Sequence, residues 1–170
     1  MARNVEIKAR AADLQAVEAR VRPLADQGPI ELHQDDTFFR CDQGRLKLRD
    51  FGDGHGELIF YRRADQLAPK CSHYEITVTD EPARLREVLT QALGVVGRVR
   101  KRRTLYLVGA TRVHLDEVDE LGCFVELEVV LQSGEPIEQG EATARALLKA
   151  LQIADDALLA PAYVDLLQSR

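Results

Sequence analysis

The sequence predicts an α+β fold: about eight short antiparallel strands in one sheet, with three or four helices packed against it. Three observations carry that reading. Segments of period-two alternation are joined by turns too short for crossover helices, which favours antiparallel pairing. A few other segments carry apolar residues at helical spacing. Within the strand patterns, charged residues keep one parity and apolar residues the other, and a sheet of eight strands is wide enough to curl into a closed barrel.

The elements follow in order. Asn4, Glu6 and Lys8 alternate with Val5, Ile7 and Ala9, a strand with one dry face. Leu14, Val17, Val21 and Leu24 recur at helical spacing, with Asp13 as N-cap and Pro23 near the end. Strand patterns run from Leu32 to Arg40 and from Arg45 to Phe51, separated by the turn-like Cys41-Asp42-Gln43-Gly44. Gly52-Asp53-Gly54-His55-Gly56 is a further turn, and the pattern from Glu57 to Arg63 is the next strand. Ser72 to Thr79 reads as a strand with His73, Glu75 and Thr77 on its polar side. Asp80-Glu81-Pro82 then opens a helix with the stripe Leu85, Val88, Leu89 and Leu93. Val95 to Val108 is β-branched and basic until Gly109 breaks it. Thr111 to Val118 and Cys123 to Leu131 are strands across Asp119-Glu120-Leu121-Gly122. Gly134-Glu135-Pro136 starts a helix to about Leu151, and Asp155 to Leu167 reads as a short last helix.

Composition narrows the function. At 170 residues the chain predicts a single domain spanning 1–170, and 45% apolar with 30% charged residues supports a core and argues against global disorder. No run approaches the roughly 18 apolar residues of a membrane helix, and the start lacks the apolar stretch of a secretory signal, so neither membrane nor export is expected. Cys41, Cys71 and Cys123 form no CxxC pair, which argues against a disulfide framework or thiolate zinc site and for packing roles in a reducing cytoplasm. A net charge of −5 argues against nucleic acid as partner. The basic run Arg98 to Arg103 is alternating and lacks interleaved aromatics, so it does not change that.

The charged parity is the informative feature. Arg45, Lys47 and Arg49 oppose Leu46 and Leu48; Arg112, His114 and Asp116 oppose Val113 and Leu115; Glu126 and Glu128 oppose Val125, Leu127 and Val129. Lys101 and Arg103 alternate with Arg100 and Arg102, so parity does not say which pair shares that face. A solvated sheet face is the ordinary explanation of such a pattern. The helices, however, need an apolar face to cover, and the only one lies opposite the charges. Helices outside a closed sheet would turn the charged face into a lumen. Ions buried there require counter-charge, which a polyanion bridged by a divalent cation to the carboxylates would supply. Glu126 and Glu128 also repel each other unless something positive sits between them. His114 alone of the four histidines shares the charged parity, and is expected to take no direct part in chemistry.

These segments resemble the CYTH family, also called triphosphate tunnel metalloenzymes. The matching elements are Asn4-Val5-Glu6-Ile7-Lys8, Arg45-Leu46-Lys47-Leu48-Arg49, Val99-Arg100-Lys101-Arg102-Arg103, Val113-His114-Leu115-Asp116-Glu117-Val118, Leu121-Gly122-Cys123-Phe124-Val125-Glu126-Leu127-Glu128 and Tyr163-Val164-Asp165-Leu166-Leu167. Six in order span nearly the whole chain. The resemblance implies an eight-stranded antiparallel tunnel with helices outside. It implies Glu6, Glu126 and Glu128 as ligands of Mg2+ or Mn2+, and Asp116 as an acid near the metals that positions or deprotonates the nucleophile. Lys8, Arg45, Lys47, Arg49, Lys101, Arg103 and Arg112 are implied to hold phosphate oxygens, Lys8 and Arg112 also being assigned to catalysis. Arg63 joins them from the fourth strand, with Arg62 as the alternative. The departure is Asn4, where the family usually carries Glu.

The resemblance further implies a small-molecule triphosphate as substrate and leaves a homodimer open. Class IV adenylyl cyclase activity, ATP to cyclic AMP and pyrophosphate, is the leading reading. Hydrolysis of tripolyphosphate, thiamine triphosphate or a nucleotide stands second, and a non-catalytic binding module third. Mutual repulsion among the lumen cations also predicts that ligand-free variants lacking Arg49 or Arg103 melt higher.

Overall fold

In a computed structural model of the chain, residues 2–63 and 69–170 are described, the side chains of Ala2, Arg63 and Lys70 aside. The strands are β1 (Ala2–Arg10), β2 (Gln27–Phe39), β3 (Arg45–Asp50), β4 (Gly56–Arg63), β5 (Lys70–Thr79), β6 (Val95–Val108), β7 (Thr111–Val118), β8 (Gly122–Leu131) and the two-residue β9 (Leu158–Leu159). The helices are α1 (Leu14–Val21), α2 (Pro82–Leu93), α3 (Ile137–Ala150) and α4 (Tyr163–Gln168). All pairings are antiparallel, in the order β5-β4-β3-β2-β6-β7-β8-β1, and the N-terminal half of β1 pairs back onto β5 to close the ring. Beyond the point where β5 leaves, β9 takes up Lys8 and Ala9 on the same edge of β1.

The main core lies outside the ring. Val5, Ile7, Val113, Leu115, Val125, Leu127 and Val129 point outward from β1, β7 and β8, and are covered by Val17 and Val21 of α1 and by Ala144 and Leu148 of α3. Asp13 caps α1 as expected, accepting the Ala16 N–H at 3.0 Å. Gly140 brings α3 close: a Cβ there would lie 2.7 Å from side-chain atoms of Val5 and Leu131. A second cluster, of Phe38, Val99, Val118, Phe124, Ala162, Tyr163 and Val164, seats α4 against the ring. Among the described residues no helix is long and apolar enough to cross a membrane.

Four expectations are corrected. The segment 155–167 is not one helix but a 3-10 turn (Asp155–Ala157), β9 and then α4. Pro161 has no N–H to donate and blocks a continuous helix, while Leu158 and Leu159 find strand partners on β1. β2 begins at Gln27 rather than Leu32, because the long β6 supplies partners back to Leu107 and an irregularity between Gln27 and Ile30 absorbs Gly28-Pro29. The inner face of β5 carries Ser72, Tyr74 and Ile76, not His73, Glu75 and Thr77. Register decides this, since Tyr74 lies opposite Tyr61, Ile76 opposite Ile59 and Ser72 opposite Asn4. The stripe of α2 is incompletely covered: Val88 and Leu93 are exposed, and Arg86 ties the helix to Thr37 (3.1 Å) and Asp50 (3.0 Å).

Candidate functional site

The ring encloses a cavity of about 600 Å3 whose walls differ in charge. On one wall β1 and β8 run side by side with Glu6 opposite Glu128 and Lys8 opposite Glu126, and β7 adds Arg112 opposite Glu128 and His114 opposite Glu126. Directly opposed residues share a face, so antiparallel register alone gathers these three carboxylates. Cations flank two of them. Glu126 is 3.9 Å from the Lys8 Nζ and 3.8 Å from Arg103 Nη2, and Glu128 is 3.6 Å from Arg112 Nη1. Burial first, then the Glu126 and Glu6 carboxylates, push the Glu128 carboxyl upward. Burial, with Arg103 beside it, holds the His114 imidazole neutral, well below its usual value.

Across the cavity the balance reverses. Asp36 of β2 is buried and receives Arg49 through Nε and Nη2 (2.8 Å each), Lys47 at 3.0 Å and Lys101 at 3.2 Å. Burial alone would raise the Asp36 carboxyl, but Arg49, Lys101 and Lys47 outweigh it and hold it well below the usual range. One anion thus serves three cations. Burial brings Lys101 down to about 7, with Arg49, Arg103 and Lys47 reinforcing the effect and Asp36 opposing it. Next to this cluster Arg103 donates Nε and Nη2 to Asp116 at 2.7 Å each, and the Tyr163 hydroxyl donates to the same carboxylate at 2.8 Å. The Tyr163 ring, delivered by α4, lies 4.1 Å under the Lys8 ammonium.

Among the described residues, a wall with an excess of carboxylates therefore faces a wall with an excess of cations. A chain of phosphates on the basic side, joined to a divalent cation on the acidic side, satisfies both. The acidic side has donors to spare: the Asn4 Oδ1 and His114 Nδ1 are buried without a hydrogen-bond partner, and one atom each from His114, Glu126 and Glu128 lie within 4.8 Å of one another. This donor set fits a divalent cation.

A family model of the CYTH domain matches residues 2–163. The chain belongs to the CYTH family. Over 174 aligned residues this CYTH chain is 25% identical to the Methanocaldococcus jannaschii protein named "Putative adenylate cyclase MJ0240", covering 96% of this chain and 97% of the relative. Its fold is shared with the PH1012 protein of Pyrococcus horikoshii, at a TM-score of 0.84 and 20% identity over 96% of this chain and 98% of the other. It is shared too with HpAC1 of Hippeastrum, described as having a dominant triphosphatase activity, at a TM-score of 0.67 and 16% identity over 99% and 96% of the two chains.

Of the residues singled out in this CYTH sequence, Glu6, Lys8, Lys47, Arg49, Lys101, Arg103, Arg112, Glu126 and Glu128 all line the cavity. The ambiguous parity of β6 is resolved, because Arg98 and Arg100 pair outside with Asp35 and Arg102 with Glu117. Two do not line it. Arg45 grips Asp165 of α4 through both guanidinium nitrogens (3.0 and 2.7 Å), and Asp116, at 0% exposure, is enclosed behind Arg103 and Tyr163. The Arg63 side chain lies outside the described residues. The alternative Arg62 is exposed, packed near the Phe60 ring. Sequence reasoning missed Asp36 and the lumen role of Tyr163. Asp36 had a signal in its alternation with Gln34 and Phe38, whereas nothing local places Tyr163 beside Lys8.

Proposed function

We propose that this CYTH protein is a metal-dependent adenylyl cyclase, converting ATP to cyclic AMP, pyrophosphate and a proton. The observation that supports it is the pairing, in one lumen, of the Glu6, Glu126 and Glu128 carboxylates with the Lys47, Arg49, Lys101 and Arg103 cations. Leu32, Phe51, Ile59, Tyr74, Ile76 and Leu105 line the same cavity. That apolar surface suits a nucleoside and has no use for inorganic tripolyphosphate. The name carried by the Methanocaldococcus relative agrees.

In this reading Glu6, Glu126 and Glu128 would hold Mg2+ or Mn2+, which when bound supplies positive charge to the phosphoryl oxygens and acidity to the attacking hydroxyl. Lys47, Arg49, Lys101 and Arg103 hold the β- and γ-phosphates that leave as pyrophosphate. Lys8 and Arg112, beside the carboxylates, offset charge at the α-phosphoryl group as the ribose 3′ oxygen attacks and the bond to pyrophosphate breaks. Asp116 is a positioning residue here. Both its oxygens are engaged, so it fixes Arg103 rather than accepting the proton.

The test is incubation with Mg2+ or Mn2+ and ATP, tripolyphosphate or thiamine triphosphate, reading cyclic AMP and pyrophosphate separately from orthophosphate. Cyclic AMP formed by wild type and lost in Glu126→Gln is the expected result. Orthophosphate alone would reassign the site to a triphosphatase, and binding without turnover to a binding module.

A further inference from the structure

We propose that His114 is itself a metal ligand, completing with Glu126 and Glu128 a mixed nitrogen–oxygen site that favours Co2+ or Zn2+ over Mg2+ and Ca2+. The inference rests on reading the acidic wall as a metal site, and adds to it the residue that chooses the ion. His114 is 4% exposed, projects from β7 into the lumen, and its Nδ1 has no hydrogen-bond partner. A buried imidazole nitrogen left so is uncommon, since buried polar atoms are nearly always paired. Nδ1 lies 3.9 Å from Glu128 Oε1, and the donor atoms of His114, Glu126 and Glu128 are all within 4.8 Å. Metal bonds to nitrogen or oxygen run about 2.0–2.2 Å, so one ion reaches both ends of a gap of up to about 4.4 Å. The His114–Glu128 gap lies within that limit, and small side-chain adjustments bring in Glu126.

Ion choice follows from what surrounds the carboxylates. Lys8, Arg103 and Arg112 already stand 3.6–3.9 Å from Glu126 or Glu128, three cations against a wall of three carboxylates in which Glu6 faces Glu128, and Asn4, buried on the same strand, is neutral. The flanking cations blunt attraction by charge for every divalent ion alike. A neutral nitrogen donor restores affinity only for ions that accept imidazole, which Co2+ and Zn2+ do and the hard ions Mg2+ and Ca2+ do poorly.

The test uses the full chain without nucleotide. Wild type is titrated with Co2+ and with Mg2+ by calorimetry, and the Co2+ form is examined for hyperfine-shifted imidazole proton resonances. We expect Co2+ to bind on the order of 50-fold tighter than Mg2+, and His114→Gln to lose about tenfold or more for Co2+ while Mg2+ changes little. Equal losses for the two ions, or no shifted imidazole resonance in the wild-type Co2+ form, would overturn the proposal. The wild-type resonance decides the matter even where His114→Gln fails to fold. ATP turnover with Mg2+ is assayed apart. Cyclic AMP production without an imidazole resonance refutes His114 ligation alone, and a resonance without turnover on any triphosphate refutes the cyclase alone.

Discussion

Lys101 lies 3.2 Å from Asp36, but Lys47 and Arg49 reach the same carboxylate, and burial with that crowding brings its ammonium from 10.5 to about 7. Between those values the unfolded chain keeps a proton that the folded chain has released. On this residue's account, stability therefore rises with pH across the window and is lowest below it. Lys101→Met removes the burden and leaves Asp36 two partners. The variant is expected to be more stable than wild type at pH 7 by about 1 kcal/mol, roughly 2–4 °C in Tm, with the advantage shrinking toward alkaline pH. Urea unfolding across the window checks the sign, and an advantage that grows with pH contradicts it. Arg103 and Arg49 separate for the same kind of reason. The sequence-based expectation that losing either raises stability does not suit Arg103: its removal strands Asp116, fully buried, with the Tyr163 hydroxyl, and breaking a buried pair costs about 3–5 kcal/mol. Arg49→Ala leaves Asp36 with Lys47 and Lys101. Thermal melts of the ligand-free variants should place Arg103→Ala well below Arg49→Ala, and equal Tm values would mean the Asp116 pair carries no weight. Arg49→Ala should also weaken tripolyphosphate binding by about 1.5–3 kcal/mol, and binding of orthophosphate by much less.

Among the elements, α4 shows how a short helix is held where its own length would not sustain it. Arg45 clamps Asp165, Gln168 donates to the Val96 carbonyl at 2.8 Å, and Val164 sits against Gly97, where an added Cβ would come within 2.6 Å of Val164 Cγ2. Gly97→Ala is therefore expected to cost about 1–3 kcal/mol by overpacking. Val164→Ala added to it should recover part of that loss, so a double-mutant cycle with no coupling would refute the contact. The element scale also shows where pattern reading fails. β1, β3, β7 and β8 were legible because each has a dry outer face against a helix and a charged inner one, the period-two signature at full contrast. β5 lacks that contrast: Tyr74 and Ile76 line the lumen while Glu75 and His73 meet solvent, so amphipathic parity pointed the wrong way. Leu158 and Leu159 looked helical because a two-residue strand is too short to display any period.

For the whole molecule, closure of β1 onto β5 converts two like-charged clusters that would be surface decoration on an open sheet into facing walls of one cavity. The cation drawn to one wall and the polyanion drawn to the other attract each other inside the cavity, so the two should bind with positive coupling. Mn2+ and tripolyphosphate together are expected to raise Tm by more than the sum of their separate shifts, a ligand at a hundred times its Kd being worth about 2.7 kcal/mol. Differential scanning calorimetry with each alone and both together measures this, and simple additivity would argue against a shared site. The sequence by itself determined the eight strands of the ring, their antiparallel connections and the helices outside, though not the two-residue β9. It also determined most of the charged inner set, from Glu6 and Lys8 to Glu126 and Glu128, because alternation along one strand is a local property. Tertiary structure alone decided which face of β6 turns inward, that Asp116 and Arg45 hold other groups instead of lining the cavity, and that Asp36 gathers three cations. It also decided that His114 meets Glu128 with a nitrogen unpartnered. Those facts depend on cross-strand register and on a C-terminal helix brought back to the first strand, contacts between residues as far apart as Lys8 and Pro161 that no local pattern encodes.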